Sequence, residues 1–246
     1  ERRGGDGGGG DGGGGDGGDS DSGDAETAVA DLVAAAEEMA AEMRRSAGEF
    51  ARSLPARPTL YTACLQAFHS ALWARLAPTI DEAATLEPMD LLMLITWAQD
   101  YGEKLDHLLG EASHTASANV PRQLLSWWGG VQRQLIAAYA AHYHRTWGGW
   151  LRNLHVAEVE RLVSEHRAGP DEETKACNST SSMAPVDLLS MLNAPFTNVA
   201  ALQVPALTNA LVAVCAEVIV SYAAMQRQLL HTIGHGLLHL KHNPDG

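Results

Sequence analysis

Residues 121–167 read PRQLLSWWGGVQRQLIAAYAAHYHRTWGGWLRNLHVAEVERLVSEHR, and the fold class follows from how that stretch is read. Pro121, after Asn119-Val120, is placed for a first helical turn, and Ala168-Gly169-Pro170 is a breaker. Large residues recur at Leu125, Trp128, Val131, Leu135, Tyr139, Tyr143, Trp147, Trp150, Leu154 and Ala157. Their mean step is close to the helical period of about 3.6, so they form one stripe. An unbroken helix here spans ~70 Å at 1.5 Å per residue. A compact chain of this size has a radius of gyration of only about 17 Å. The neighbours must therefore lie along the helix, and the stretch predicts a rod. Gly129-Gly130 and Gly148-Gly149 interrupt it, at ~1 kcal/mol per glycine relative to alanine. The stripe keeps its phase across both pairs, which favours one helix bent near Gly148.

Working outward, prolines mark most of the remaining boundaries. Asp24 is placed as the N-cap of a helix over 25–54, with Val29, Leu32, Ala36, Met39, Met43, Ala47, Phe50 and Leu54 in alternating threes and fours. Thr59 to Leu76 repeats the pattern until Pro78, and Pro88 starts a third helix that Gly110 is expected to cap. That helix has a broad stripe, Leu91, Leu94, Ala98, Tyr101 and Leu105 widened by Leu92 and Ile95, so it touches neighbours on more than one side. Residues 111–118 and 168–184 read as polar loops. Pro185 opens a helix that Pro195 ends or kinks. Pro205 opens the last helix, with Leu207, Leu211, Val214, Val218, Tyr222, Met225, Leu229 and Ile233 on one face. Val212, Cys215 and Ile219 form a second apolar side. No segment reads as a sheet strand. The expected architecture is all-α, an elongated rod of stacked antiparallel bundles over 25–243, divisible near 118 into two sub-bundles.

Residues 1–24 hold 13 glycines and six aspartates and have nothing to bury, which predicts a flexible acidic linker. A calcium loop over Asp19–Asp24 fails on spacing, since glycine stands at loop position 5 and Ala30 at position 12. The formal charge is −13; the first 24 residues supply −5 (two arginines against six aspartates and one glutamate), leaving −8. That balance argues against a nucleic-acid partner. Three scattered cysteines, Cys64, Cys177 and Cys215, fit a reduced compartment without a disulfide frame. No signal peptide is visible, and a start at Glu1 instead of methionine suggests a piece of a longer chain. Residues 206–225 are long enough to span a membrane, but an ionised Glu217 near the middle costs ~3 kcal/mol on insertion scales. A buried core helix is the expectation there, with no transmembrane segment.

Phosphate loops, paired zinc cysteines and nucleophile elbows are absent from the sequence. The acidic residues read as spread over solvated faces, without paired carboxylates. His231, His235 and His239 share a helical face at four-residue steps, a spacing that suits zinc. Gly234 and Gly236 weaken the helix there, and a fraying terminus is the preferred reading. His142, His144 and His155 are expected in surface or capping roles. Trp97, Trp128, Trp147 and Trp150 are expected in the core. No catalytic or cofactor-binding residue is expected.

Several segments resemble one known family. Leu91-Leu92-Met93-Leu94-Ile95-Thr96-Trp97 with Tyr101, and Phe68-His69-Ser70-Ala71-Leu72 before it, resemble helices of the exocyst complex component 3 family. Tyr139 followed by Trp150-Leu151-Arg152 resembles its tyrosine-then-Trp-Leu-basic pattern. Ala184-Pro185 with Leu188, Met191 and Leu192, then Val214-Cys215 and Tyr222, continue the likeness across residues 58–233. The resemblance implies a non-enzymatic, cofactor-free helical scaffold of a vesicle-tethering complex, cytoplasmic and peripheral at docking sites on the plasma membrane. It implies other exocyst subunits and fusion-machinery proteins as partners. It also implies that the family's N-terminal coiled-coil region lies outside this sequence. Two other readings are weighed against it: a related tether or membrane-remodelling adaptor outside the exocyst, and a helical metalloprotein using the C-terminal histidines.

Overall fold

The computed structural model describes residues 21–53, 58–113, 119–167 and 183–242; side chains near several helix ends, and the glycine-aspartate head, lie outside that description. Six α-helices follow in order: α1 (Asp21–Ser53), α2 (Pro58–Asp81), α3 (Pro88–Ser113), α4 (Asn119–Arg167), α5 (Ala184–Leu202) and α6 (Pro205–His242), with a 3-10 turn at Ala83–Thr85 between α2 and α3. The described residues contain no strand. The fold is all-α.

Helix α4 runs unbroken through both glycine pairs for 49 residues, about 74 Å at the helical rise. The glycines are half-buried, and a methyl group added at any of them meets only the guanidinium of Arg133 or Arg152, at 3.5–3.8 Å. Packing does not demand them. The helix persists because its flanking turns bury Trp128, Val131, Leu135, Tyr139, Trp147 and Leu151, and burial of side chains this large outweighs a weak local propensity.

The chain reverses at the 3-10 turn between α2 and α3, which meet through His69 and Tyr101 while each packs chiefly on α1 and α4. Helix α1 lies across both. Lys104 of α3 bridges to Glu37 at 3.1 Å, and Arg75 of α2 approaches the Met39 sulfur at 3.9 Å. Helix α4 packs antiparallel to α3. Trp128 reaches Ala98, and farther along Gln134 and Arg145 donate to the carbonyls of Ile80 and Ala84. At the same level α6 also becomes its neighbour, with His144 Nε2 3.4 Å from Glu217 Oε2.

Several sequence expectations are corrected. Pro78 does not end α2, which continues to Asp81. The proline forfeits one helical hydrogen bond, but the following Ile80 is 1% exposed, and its burial holds the last turn in place. Gly110 does not cap α3, which runs on to Ser113. A glycine ends a helix only where the chain turns left-handed after it, and Glu111-Ala112 are good helix formers. Of the two readings of Pro195, only the stop fails: the proline lies buried inside α5, which continues to Leu202. The true left-handed cap is Gln203, at φ 53° and ψ 36°, followed by Pro205 at the start of α6. Helix α1 begins at Asp21, three residues before the expected cap.

The core stripe of α4 is also corrected. Trp150 is 51% exposed and Ala157 is exposed, while Leu151 and Glu158 take the buried positions. At about 100° per residue, the enclosed face turns by roughly 120° between Trp128–Tyr139 and Trp147–Glu158. The helix hands one side to α2 and α3 and a different side to α6.

Candidate interaction surface

An aromatic junction joins α2, α3 and α4. Trp97, Tyr101 and Trp128 are nearly inaccessible. Trp128 stands edge-on to Tyr101 at 4.7 Å and to Trp97 at 5.4 Å, an arrangement suited to the ring quadrupoles. The Trp128 Nε1–H donates to the Ala98 carbonyl at 2.6 Å. The ring also lies against Gly102, where an added methyl would stand 3.1 Å from Trp128 Cδ1. Only glycine gives α4 this close approach.

His69 sits in the same junction at 6% exposure. Its Nδ1 shares a 3.1 Å hydrogen bond with the Tyr101 hydroxyl, and Trp127 meets its ring edge-on at 5.0 Å. Its Nε2 is buried and has no partner among the described residues. Desolvation by burial holds the His69 pKa below its ordinary value and pushes the Tyr101 hydroxyl upward. Tyr139 is pushed up as well, first by burial and then by Tyr143 beside it. No nucleophile and no carboxylate faces this imidazole among the contacts above. The group is a neutral packing element.

The expectation that carboxylates lie on solvated faces fails at two positions. Asp90 is 3% exposed and Glu158 is 8% exposed. Asp90 lies in the first turn of α3, where the helix dipole favours an anion. Glu158 accepts from Arg161 Nη2 at 3.2 Å, and its charge adds to burial in raising the Tyr222 pKa. These two carboxylates belong to different helix ends and do not form an acid–base pair.

Among the histidines, His144 is exposed beside Glu217, and His142 stands edge-on to Tyr143 at 5.5 Å. His231 is exposed, while the side chains of His235 and His239 lie outside the description. Among the described residues no three His, Cys, Asp or Glu side chains gather as a metal site. Cys64 and Cys215 are half-buried free thiols, and Cys177 lies outside the description.

The feature that sequence reasoning missed is the outer side of α6. Leu207, Leu211, Val214 and Val218 enter the core, as expected from their spacing. The opposite side is open: Val212 is 51% exposed, Ile219 45%, Val220 70% and Leu230 69%. With Ala216 and Ala223 they continue the three-four alternation on the outward face. The segment Pro205–Thr232 is long and apolar enough to cross a membrane by composition, with a mean hydropathy of 1.7, and only 22% of its most apolar window is buried. The expected buried core helix is thus a bundle helix with a bare apolar flank. The signal was present in Val212 and Ile219, which read as a second apolar side but without anything to show that no helix covers it. Exposed apolar patches of this kind mark sites of contact with another protein or with a membrane.

A family model for exocyst complex component Sec6 matches residues 18–243, which extends the likeness drawn from residues 58–233 through the whole of α1. No curated protein and no solved structure matches the chain. With nearly all of its helical region matched in one span, the chain belongs to the exocyst complex component Sec6 family.

Proposed function

We propose that this chain is a non-enzymatic scaffold of the exocyst, corresponding to subunit 3 of that complex, and helps dock secretory vesicles at the plasma membrane. The observation that carries the reading is the single family match over residues 18–243. The all-helical bundle built on a 49-residue helix supports it, as does the apolar outer flank of α6, which suits a chain that works by being held. Its partners are other exocyst subunits and proteins of the fusion machinery. It is peripheral to the membrane, in the cytoplasm, and needs no cofactor. Residues 1–20 act as an acidic linker, and residues 21–118 and 119–243 are two sub-bundles of one rod.

The test is affinity purification of the full-length protein from its own cells, followed by mass spectrometry of what accompanies it. Recovery of the exocyst subunits in near-equal amounts is the expected result. Their absence, or a different set of tether or membrane-remodelling chains in their place, overturns it.

A further inference from the structure

Helix α4 carries no aspartate or glutamate from Asn119 to Ala157, in a chain whose formal charge is −13. It does carry Arg133, Arg145 and Arg152, all exposed. Among the described residues none of the three pairs with a carboxylate. Arg145 donates to the Ala84 carbonyl at 3.3 Å, and the acidic residues around that turn, Asp81, Glu82 and Glu87, form no ion pair with it. The two outer arginines stand in the same local setting. Trp128-Gly129-Gly130-Val131-Gln132-Arg133 and Trp147-Gly148-Gly149-Trp150-Leu151-Arg152 share one pattern: a buried tryptophan, two glycines, then an arginine. A methyl added at Gly129 or Gly130 would stand 3.5 or 3.8 Å from the Arg133 guanidinium, and one at Gly148 or Gly149 would stand 3.8 Å from that of Arg152. Each arginine head is therefore folded back over bare helix backbone, the kind of close approach that glycine permits. Between them the i, i+4 row runs Arg133, Ala137, Ala141, Arg145 and Gly149, with Arg152 and Val156 one turn farther on. Such a row advances by about 40° per step, so it follows the open side of α4 as the enclosed side turns. Ala137, Ala141 and Val156 are exposed, and Gly149 is half-buried. The row is a low cationic path.

We propose that this path binds a carboxylate-rich segment of a partner protein. A guanidinium fork pairs with a carboxylate through two parallel N–H···O bonds. Three unpaired forks in line on an acidic chain are what an acidic segment complements. The path is only one residue wide. A flat anionic bilayer would meet Asp81, Glu82 and Glu217, exposed on the elements beside α4, together with the arginines. Three basic residues give a membrane only a weak hold, and those carboxylates oppose it. A chain segment can follow the row and avoid them. The inference goes beyond the tethering reading and does not depend on it.

The probe is a fluorescein-labelled peptide of alternating glutamate and serine, compared with its glutamine–serine counterpart by fluorescence anisotropy on the full chain. Vesicles of phosphatidylserine and phosphatidylcholine test the lipid alternative by co-sedimentation. The glutamate peptide is expected to bind, and the glutamine peptide and the vesicles not to bind. The triple variant Arg133→Gln/Arg145→Gln/Arg152→Gln should weaken binding at least about tenfold. Ala141→Glu, which sets a carboxylate in the path from an exposed position, should weaken it by a similar factor. Arg44→Gln/Arg45→Gln/Arg227→Gln removes the same charge from exposed positions on α1 and α6 and should leave affinity within about twofold. Circular dichroism confirms that each variant is folded. Equal affinity for both peptides, no binding of either, equal losses in the two triple variants, or vesicle binding that the α4 triple variant abolishes overturns the proposal. Because no exocyst subunit enters this assay, its failure leaves the assembly reading standing, and failed co-purification leaves the cationic path standing.

Discussion

The two ends of α4 are built from the same kinds of residue and meet opposite fates. At the α2–α3–α4 junction, Trp128, Val131, Leu135 and Tyr139 are each at most 5% exposed. Toward the other end, Trp150, Val156 and Val163 stand 45–54% exposed, and α6 beside them exposes Val220 and Leu230 still further. Apolar content does not separate the two regions. What separates them is enclosure: α2, α3 and α4 close around the junction, whereas the far end keeps an open side. The junction is where the fold is held, and the far end is where it has surface left to share.

Breaking the junction is therefore expected to give the largest effect. Trp128→Ala removes a ring packed against Trp97 and Tyr101 together with its bond to the Ala98 carbonyl. A loss of about 3–5 kcal/mol in unfolding free energy is expected, measured by urea denaturation. A loss under about 1 kcal/mol would mean that the junction is not the centre of stability.

The junction also carries a pH signature. Burial lowers the folded pKa of His69 beneath 6.5, so as pH falls the unfolded chain takes up the proton first. The neutral imidazole's contribution is full above about 6.5 and is lost as pH falls through 6.5 toward the folded value. The denaturation midpoint should drop in that window more steeply for the native chain than for His69→Phe. Parallel curves would place the sensitivity in other histidines.

Three glycine substitutions sharpen the contrast, with opposite signs. Gly102→Ala forces a methyl to 3.1 Å from a ring that its neighbours hold fixed. Overpacking of about 1–3 kcal/mol outweighs the ~1 kcal/mol gained in helix propensity, and a net loss near 1 kcal/mol is expected. Gly148→Ala and Gly149→Ala meet only Arg152, at 3.8 Å. Each should stabilise by about 1 kcal/mol and raise the thermal midpoint. A loss at either would show that α4 needs a bend there.

How much of this was legible in the sequence depends on what periodicity can carry. The helices, most proline starts and the buried stripes of α3 and α6 follow from spacing alone. Trp150 was misplaced because a stripe drawn at constant phase assumes one neighbour, and α4 changes neighbours along its length. Pro78 and Gly110 read as stops because local propensity was weighed without the burial of Ile80 or the helix formers after Gly110. Asp90 and Glu158 read as solvated because charge says nothing of the fold around it. For α6 the sequence shows two apolar sides, and only the packed chain shows which of them remains uncovered.

The smallest expected effect on stability falls on that uncovered side, and it is the most informative for function. Val220 and Leu230 are 70% and 69% exposed, so Val220→Ser and Leu230→Ser should each shift unfolding free energy by no more than about 0.5 kcal/mol. If the outer flank of α6 is a contact surface, the double variant should keep its circular dichroism and melting behaviour while losing exocyst subunits in affinity purification. The Trp128→Ala chain would lose both together, because a collapsed junction leaves no rod to hold. Retention of all subunits by the folded double variant would move the contact surface elsewhere on the bundle. A fall in stability of several kcal/mol would instead mean that the flank is covered within the chain. The two measurements together separate a surface kept bare for a partner from one left bare without consequence.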